Sequence, residues 1–521
     1  MYDSTEVLGE RYGPSYRWLV TITGMVGVVA MVLSMTTVNV AVPDVMGAFG
    51  IGQDVAQWMS SAFSATMTFG MLLSSWIVGV LGERRTFIGV LSIFSFGAVL
   101  GGSAPNQDVL IFARVLQGFS SGIGQPMVMA IIFSVFPPER RGMAMGTFGL
   151  GVVFAPAIGP TLGGLMIEYF SWRYVFYVAL PFCLMAGVLG SLFMPTQPLP
   201  KTLPRFDWIG FGLIGAALFC IMTGFADGQA EGWNSNTIVA RLTGGTAAAI
   251  LFVLWELYTD RPLLDVRMFA NGQFASAGIV AFIFGACMMG STYLVPVFVQ
   301  TTQGFTPLVS GLMMMPAGLM LAVIFPVAGR MADVLPPALM IMGGLILFAI
   351  GFHFMSLADV NTVFWTLVVV TMISRLGLGF INPSLNASSL KVLPPDKVRQ
   401  GAGATNFMRQ LGGALGTVCF VAVLETRARF HAEALTATQD YANHATDMLL
   451  HRVEKLLKTV GLTERIRHDT ALDYLGTVVH AQSQTMAFQD TFMVVGGVTL
   501  LALLPAYILS RSQRRDMRGA G

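Results

Sequence analysis

The chain has 521 residues, 54% of them hydrophobic and 11% charged, with a formal net charge of +2. Soluble domains carry about 25% charged residues, so a soluble fold is excluded, and a charge this small provides no electrostatic footprint for nucleic acid. Cys183, Cys220, Cys287 and Cys419 all sit inside apolar runs with no metal-ligand spacing, which leaves them as small core residues rather than disulfides or a metal site.

Residues 1–17 are polar and read as an N-terminal cytoplasmic segment. The apolar run that follows is too long for a signal peptide. A membrane-spanning helix needs about 20 mostly apolar residues. Runs of that kind fall at 18–42, 57–81, 86–103, 109–134, 143–166, 172–194 and 207–226. They continue at 238–258, 274–299, 307–330, 337–356, 363–385, 402–424 and 488–510. The pattern predicts an all-α polytopic membrane protein with 14 transmembrane helices.

Lys and Arg segregate between the short loops. Arg84, Arg85, Arg140, Arg141, Arg330, Lys391 and Lys397 are among 18 basic residues on one side, against Arg173 and Arg241 on the other. The positive-inside rule makes the basic side cytoplasmic, with both termini on it and a basic tail at 511–521. Residues 425–487 form one long polar loop on the opposite side. Leu449, Val453, Leu456 and Val460, then Leu472, Leu475 and Val479, recur at helical spacing, with Gly461 and Thr463 as stop and cap. An external helical hairpin is expected there, suited to docking an adaptor protein.

Gln125-Pro126 followed by Pro137-Pro138-Glu139-Arg140 recurs as Asn382-Pro383 followed by Pro394-Pro395-Asp396-Lys397. The offset equals eight helices with their loops. Two six-helix repeats, 18–194 and 263–510, separated by an inserted pair at 195–262, account for it.

Polar residues inside these runs carry the chemistry. An arginine at membrane depth costs about 2.5–3.5 kcal/mol on insertion scales, so one that is kept there has a function or a partner. Arg114 and Arg375 are such residues. Asn39, Gln117, Gln125, Asn382, Asn386 and Gln410 add uncharged polar groups, which together read as a wettable cavity. The segment Ala155-Pro156-Ala-Ile-Gly159-Pro160-Thr-Leu-Gly163-Gly164 reads as a close-packed helix that can bend. The 33 methionines read mainly as core or lipid-facing filler, with some suited to an adaptable pocket.

These motifs resemble the major facilitator superfamily, and within it the fourteen-helix drug:proton antiporters of the EmrB and QacA type. Leu110, Arg114, Gln117 and Gly118 match the fourth-helix motif, whose arginine the resemblance assigns to proton coupling. Ala155, Pro156, Gly159, Pro160, Gly163 and Gly164 match the fifth-helix antiporter motif, with Ala155 where the family has glycine. Thr36 to Pro43, Trp172-Arg173, Arg261 to Phe269, and Asn406 to Gly413 are similar to further motifs of the group. Two departures stand out. Ser34 occupies the position of the protonatable aspartate in the first-helix motif. The Asp-Arg pair of the second-to-third-helix loop falls on Gly79 and Val80, leaving Gly82-Glu83-Arg84-Arg85, while the partner loop keeps Asp333.

The resemblance implies proton-coupled efflux of hydrophobic or amphipathic compounds, drug-like or fatty-acid-like, by alternating access. Such an exporter would sit in a bacterial-type inner membrane as part of a multi-component pump. No carboxylate lies near the middle of a predicted span. The proton-coupling candidates are Arg114, Asp227, Glu168 and Asp44. Ser34, Asn39, Gln117, Gln125, Arg375, Asn382 and Gln410 are the cavity candidates. Glu83, Arg84, Arg85, Arg140, Arg141 and Asp333 are the gating-loop candidates. A stand-alone exporter or a facilitator without proton coupling is the first alternative, and a receptor or scaffold on a transporter fold is the second. No nucleophile–base pairing, phosphate loop or cofactor motif points to an enzyme.

Overall fold

The computed structural model describes residues 5–51, 58–196, 206–260, 262–305, 307–439, 443–459 and 463–509. The tail 511–521, Arg261 and Gly461 lie outside the described residues, as do the side chains of Asn39, Pro156, Pro160 and Asp227.

The described residues are helical throughout, without strands. The first six long helices are α1 (Tyr16–Val40), α2 (Trp58–Leu81), α3 (Glu83–Gly102), α4 (Gln107–Val135), α5 (Arg141–Tyr169) and α6 (Leu180–Phe193). Next come α7 (Trp208–Glu231), α8 (Asn236–Tyr258), α9 (Gly272–Thr301), α10 (Pro307–Val334), α11 (Pro337–Met355) and α12 (Phe364–Lys391). The last are α13 (Val398–Thr436), α14 (His444–Thr459) and α15 (Glu464–Leu501). Each of the fourteen apolar runs lies on a helix. Thirteen spans are long and apolar enough to cross a membrane among the described residues. The fifth run lies on α5, which is 29 residues long.

Local sequence sets the helix ends. Asn106 accepts the amide of Val109 at 3.0 Å and starts α4, and Asp207 does the same for Gly210 at 2.9 Å in α7. The Pro-Pro pairs terminate helices. Pro138–Arg140 and Pro395–Lys397 form matching 3-10 turns after α4 and α12. Pro126 and Pro383 lie inside those same two helices, each after a buried amide side chain, Gln125 and Asn382.

The packing repeats as the sequence echo does. In the first half α2 and α3 pack on α4, and α1 on α5. In the second, α10 and α11 pack on α12, and α9 on α13. The two largest hydrophobic clusters among the described residues are built round Phe63, Phe87, Phe133 and Phe148, and round Phe284, Phe298, Phe348 and Phe492, and the first reaches across to Phe274, Leu390 and Phe407 of the second half. Lipid tails are as apolar as these side chains, so tight van der Waals contact rather than water exclusion holds the helices together. Small residues permit that contact. A methyl group at Gly118 would lie 2.2 Å from the carbonyl oxygen of Phe63, so α4 meets α2 backbone to backbone.

Three features go beyond the sequence reading. The N-terminal segment carries a helix, Thr5–Tyr12, with Leu8 fully buried, because its apolar residues continue the first span. The expected helical hairpin is present, as α14 packed on the first part of α15, and it is continuous with the membrane helices: α13 runs unbroken for 39 residues and α15 for 38. Arg427 and His431 both reach the Asp490 carboxylate at 2.6 Å and pin the two extensions together. Thr463 precedes α15 in extended conformation, but its side chain makes no capping bond.

Candidate functional site

Arg114 sits in the second turn of α4 and is fully buried. Its Nε donates to the carbonyl of Met59 at 2.9 Å, and Nη1 donates to Gln117 Oε1 at 2.8 Å. Nη1 also lies 3.4 Å from Ser34 Oγ, and the guanidinium stacks 4.3 Å from the Phe63 ring centroid. Ser34 thus stands beside the arginine as a neutral partner where the resemblance places an aspartate. Arg114 Nη2, Gln117 Nε2, Ser120 Oγ and Thr37 Oγ1 are buried without a hydrogen-bond partner among the described residues. They come from α1 and α4, which converge here.

The second half holds two further buried guanidiniums. Arg375 donates to Ser291 Oγ at 3.2 Å and Thr292 Oγ1 at 3.3 Å, both on α9. Arg409 on α13 donates to Asn406 Oδ1, and Asn406 Nδ2 lies 3.0 Å from Met129 Sδ on α4. The Arg409 position therefore borders the junction of the two halves. Asn386 donates to Asn382 at 3.0 Å within α12, while Gln125 is buried and Gln410 half-buried.

The Major Facilitator Superfamily profile matches residues 24–417. The chain belongs to that superfamily. The MFS-type transporter YcnB of Bacillus subtilis (strain 168) is 32% identical over 406 residues, covering 78% of this chain and 85% of YcnB. The Multidrug resistance protein B homolog of Mycobacterium tuberculosis (strain ATCC 25618 / H37Rv) is 29% identical over 495 residues, 93% of this chain and 88% of that protein. Among solved structures, the human organic anion transporter MFSD10 (TETRAN) superposes with a TM-score of 0.63 at 15% identity, over 95% of this chain and 99% of that one. The relatives of this major facilitator thus include multidrug-resistance transporters, and it is a multi-pass membrane protein.

The halves of this major facilitator meet where α5 packs on α10 and α12, and where α13 packs on α2 and α4. A methyl group at Gly146 would lie 2.4 Å from the Phe325 carbonyl oxygen and 2.9 Å from the Gly329 Cα. One turn away, Asp333 accepts the amides of Gly142 at 2.6 Å and Met143 at 2.9 Å. These are unpaired N–H groups of the first turn of α5, where the helix dipole favours an anion. Together these contacts join the start of α5 to the end of α10. The fifth-helix motif takes a different place. Gly159 and Gly163 pack on Thr36 and Thr37 of α1, inside the first half.

The other candidates scatter. Arg84 Nε donates to the Met194 carbonyl at 2.7 Å and ties α3 to α6 within one half. Arg141 stacks 4.5 Å from the Phe133 ring centroid. Arg85 and Arg140 are exposed, and so are Asp44 and Glu168. Glu83 is half-buried at the start of α3. Sequence reasoning missed Glu256, which is fully buried in the last turn of α8. It faces Asp207 across Gly210, and Trp255 Nε1 donates to Asp207 at 2.9 Å. Lys397 joins Asp265 at 2.8 Å within the second half, where the chain leaves α8 for α9. A lone acid one residue after Trp255 in an apolar run was the available signal.

Asp333→Asn keeps the shape and removes the charge. Losing a carboxylate at a helix N-terminus costs about 1 kcal/mol. The expected result is a several-fold drop in transport. Spin labels at the exposed positions Arg140 and Val334 should report a longer distance across the seam.

Proposed function

We propose that the chain is a proton-driven exporter of hydrophobic and amphipathic compounds, working by alternating access. The reading rests on Arg114, fully buried in a bundle whose relatives are named for multidrug resistance. Its two six-helix halves rock about the interior, with α7–α8 inserted between them and 14 crossings in all. Joining α5 to α10 closes the basic side, and this is the state that faces away from the cytoplasm. Both termini are cytoplasmic, in a bacterial inner membrane. The α13–α15 extensions with α14, over 425–487, are the surface for an external adaptor. Asp227 is the foremost candidate for the proton site, with Glu168 and Asp44 behind it.

Ser34 favours a second reading, an exporter or facilitator of lipid-like substrates without proton coupling. The place of a titrating acid beside Arg114 is taken by a hydroxyl 3.4 Å away. Efflux from proteoliposomes with and without a pH gradient separates the two. Under the first reading efflux follows the gradient, and Asp227→Asn abolishes that dependence. Transport indifferent to the gradient in the wild type would leave the facilitator.

A further inference from the structure

We propose that Glu256 and Asp207 form a second proton-binding site, built into the inserted α7–α8 pair, in which one proton is held between the two carboxylates. Its part in transport rests on the proton-driven reading above. The holding of the proton does not.

The two side chains reach one small space from neighbouring helices. Asp207 caps the start of α7, and Glu256 lies in the last turn of α8. Gly210 stands where they meet. A methyl group there would lie 2.4 Å from Asp207 Oδ2 and 2.7 Å from Glu256 Oε1, so the glycine lets the two oxygens crowd together.

Their surroundings differ. Asp207 Oδ1 accepts the amide of Gly210 and the indole N–H of Trp255, both at 2.9 Å. Glu256 is fully buried, and neither of its oxygens has a hydrogen-bond partner. The amides of Leu263 and Leu264 lie toward it without reaching hydrogen-bond geometry. Among the described residues no cation is bonded to it. α8 packs on α7 and on the turn Val266–Ala270. The charged group that α7 brings is Asp207. The turn brings Asp265, which is taken by Lys397 at 2.8 Å, and Arg267, which is exposed and donates to the Leu257 and Thr259 carbonyls. Asp260 is exposed. Asp227, Glu231 and Arg241 belong to the opposite end of the pair.

What Glu256 lacks is therefore a donor, and its nearest polar neighbour is another acceptor. A buried polar group left in that condition is costly. One proton removes the conflict. Carried by Glu256, it donates to Asp207 Oδ2, and Asp207 keeps the charge that its two N–H donors already hold. Crowded carboxylates share a proton in this way and titrate as a pair. The site is covered by Leu263 and Leu264, both buried, and the next residue, Asp265, is bonded to Lys397 at the start of α13. The cover is thus tied to a helix on which the halves meet. Movement of α13 away from α2 and α4 draws the cover with it and opens Glu256 to water.

The test uses purified full-length protein in lipid vesicles. An infrared difference spectrum between acidic and alkaline buffer should contain a carboxylic-acid carbonyl band that is lost in Glu256→Gln and shifted in Asp207→Asn. Carboxylic-acid bands unchanged in these variants overturn the site, and Asp207→Asn decides alone where Glu256→Gln does not fold. Efflux of ethidium is then read with and without a pH gradient. Glu256→Gln should lose the acceleration by the gradient and keep gradient-free exchange, because the amide imitates the protonated acid. A full gradient response in that variant overturns the role in transport. A wild type that shows the band but ignores the gradient removes the proton-driven reading and leaves the site standing.

Discussion

Arg114→Met is expected to cut transport about 100-fold while the protein still inserts and folds. The guanidinium makes bonds to Met59, Gln117 and Ser34 that draw α1, α2 and α4 to one point. Hydrogen bonds to a charged group contribute about 1.5–3 kcal/mol each, and about 1.4 kcal/mol is tenfold in a rate or equilibrium. Loss of one or two such bonds in the working cycle accounts for the size of the effect. Stability behaves differently. A buried charge without a counter-ion costs several kcal/mol of desolvation, and methionine fills similar volume without that cost. Thermal unfolding of the purified variant should therefore match or exceed the wild type. Arg114→Lys should recover only part of the activity, because a point charge cannot reach Met59 and Gln117 together. Full transport by Arg114→Met, or its failure to fold, would sink this account.

Much of this was legible in the sequence because membranes make few demands and make them strictly. A span must be apolar for its whole length, so the fourteen runs stand out and each lies on a helix. Arg114 was legible for the same reason, since its insertion cost marks it. The repeat was legible in Gln125-Pro126 and Asn382-Pro383, which occupy matching helices. What could not be read were contacts between residues far apart in the chain. Gly142 and Gly146 look like unremarkable small residues in a run of Met and Gly until Gly329 arrives from the other half. The Gly/Pro-dense segment drew attention instead, and it packs on α1. Glu256 was passed over because it closes an apolar run, where an acid ordinarily reaches water, and here α7 covers it. The uninterrupted α13 was hidden by the change from apolar to polar composition after Leu424, which marks the edge of the membrane and not the end of the helix.

The second large effect is expected at Gly146. The seam between α5 and α10 is closed by backbone meeting backbone, with the Phe325 carbonyl 2.4 Å from where a Gly146 methyl would sit. Atoms that close cannot relax by turning a side chain, so any Cβ must push the helices apart. Overpacking a close contact costs about 1–3 kcal/mol. Each helix stays intact and the contacts within each half are untouched, so the cost falls on the closed arrangement. A penalty of that size shifts a two-state equilibrium by about 10- to 100-fold. Gly146→Val should therefore leave expression and unfolding temperature close to wild type while transport falls by at least about tenfold. Labels at Arg140 and Val334 should move apart, more than in Asp333→Asn, since the latter removes an attraction and Gly146→Val adds a wedge. Gly79, a glycine near the basic end of α2 with no neighbouring heavy atom within 4 Å of its Cβ position, provides the control. Gly79→Val should transport normally. A loss of transport at Gly146 with unchanged label distance would mean that the residue acts on something other than closure, and the assignment of this seam as the gate would fall.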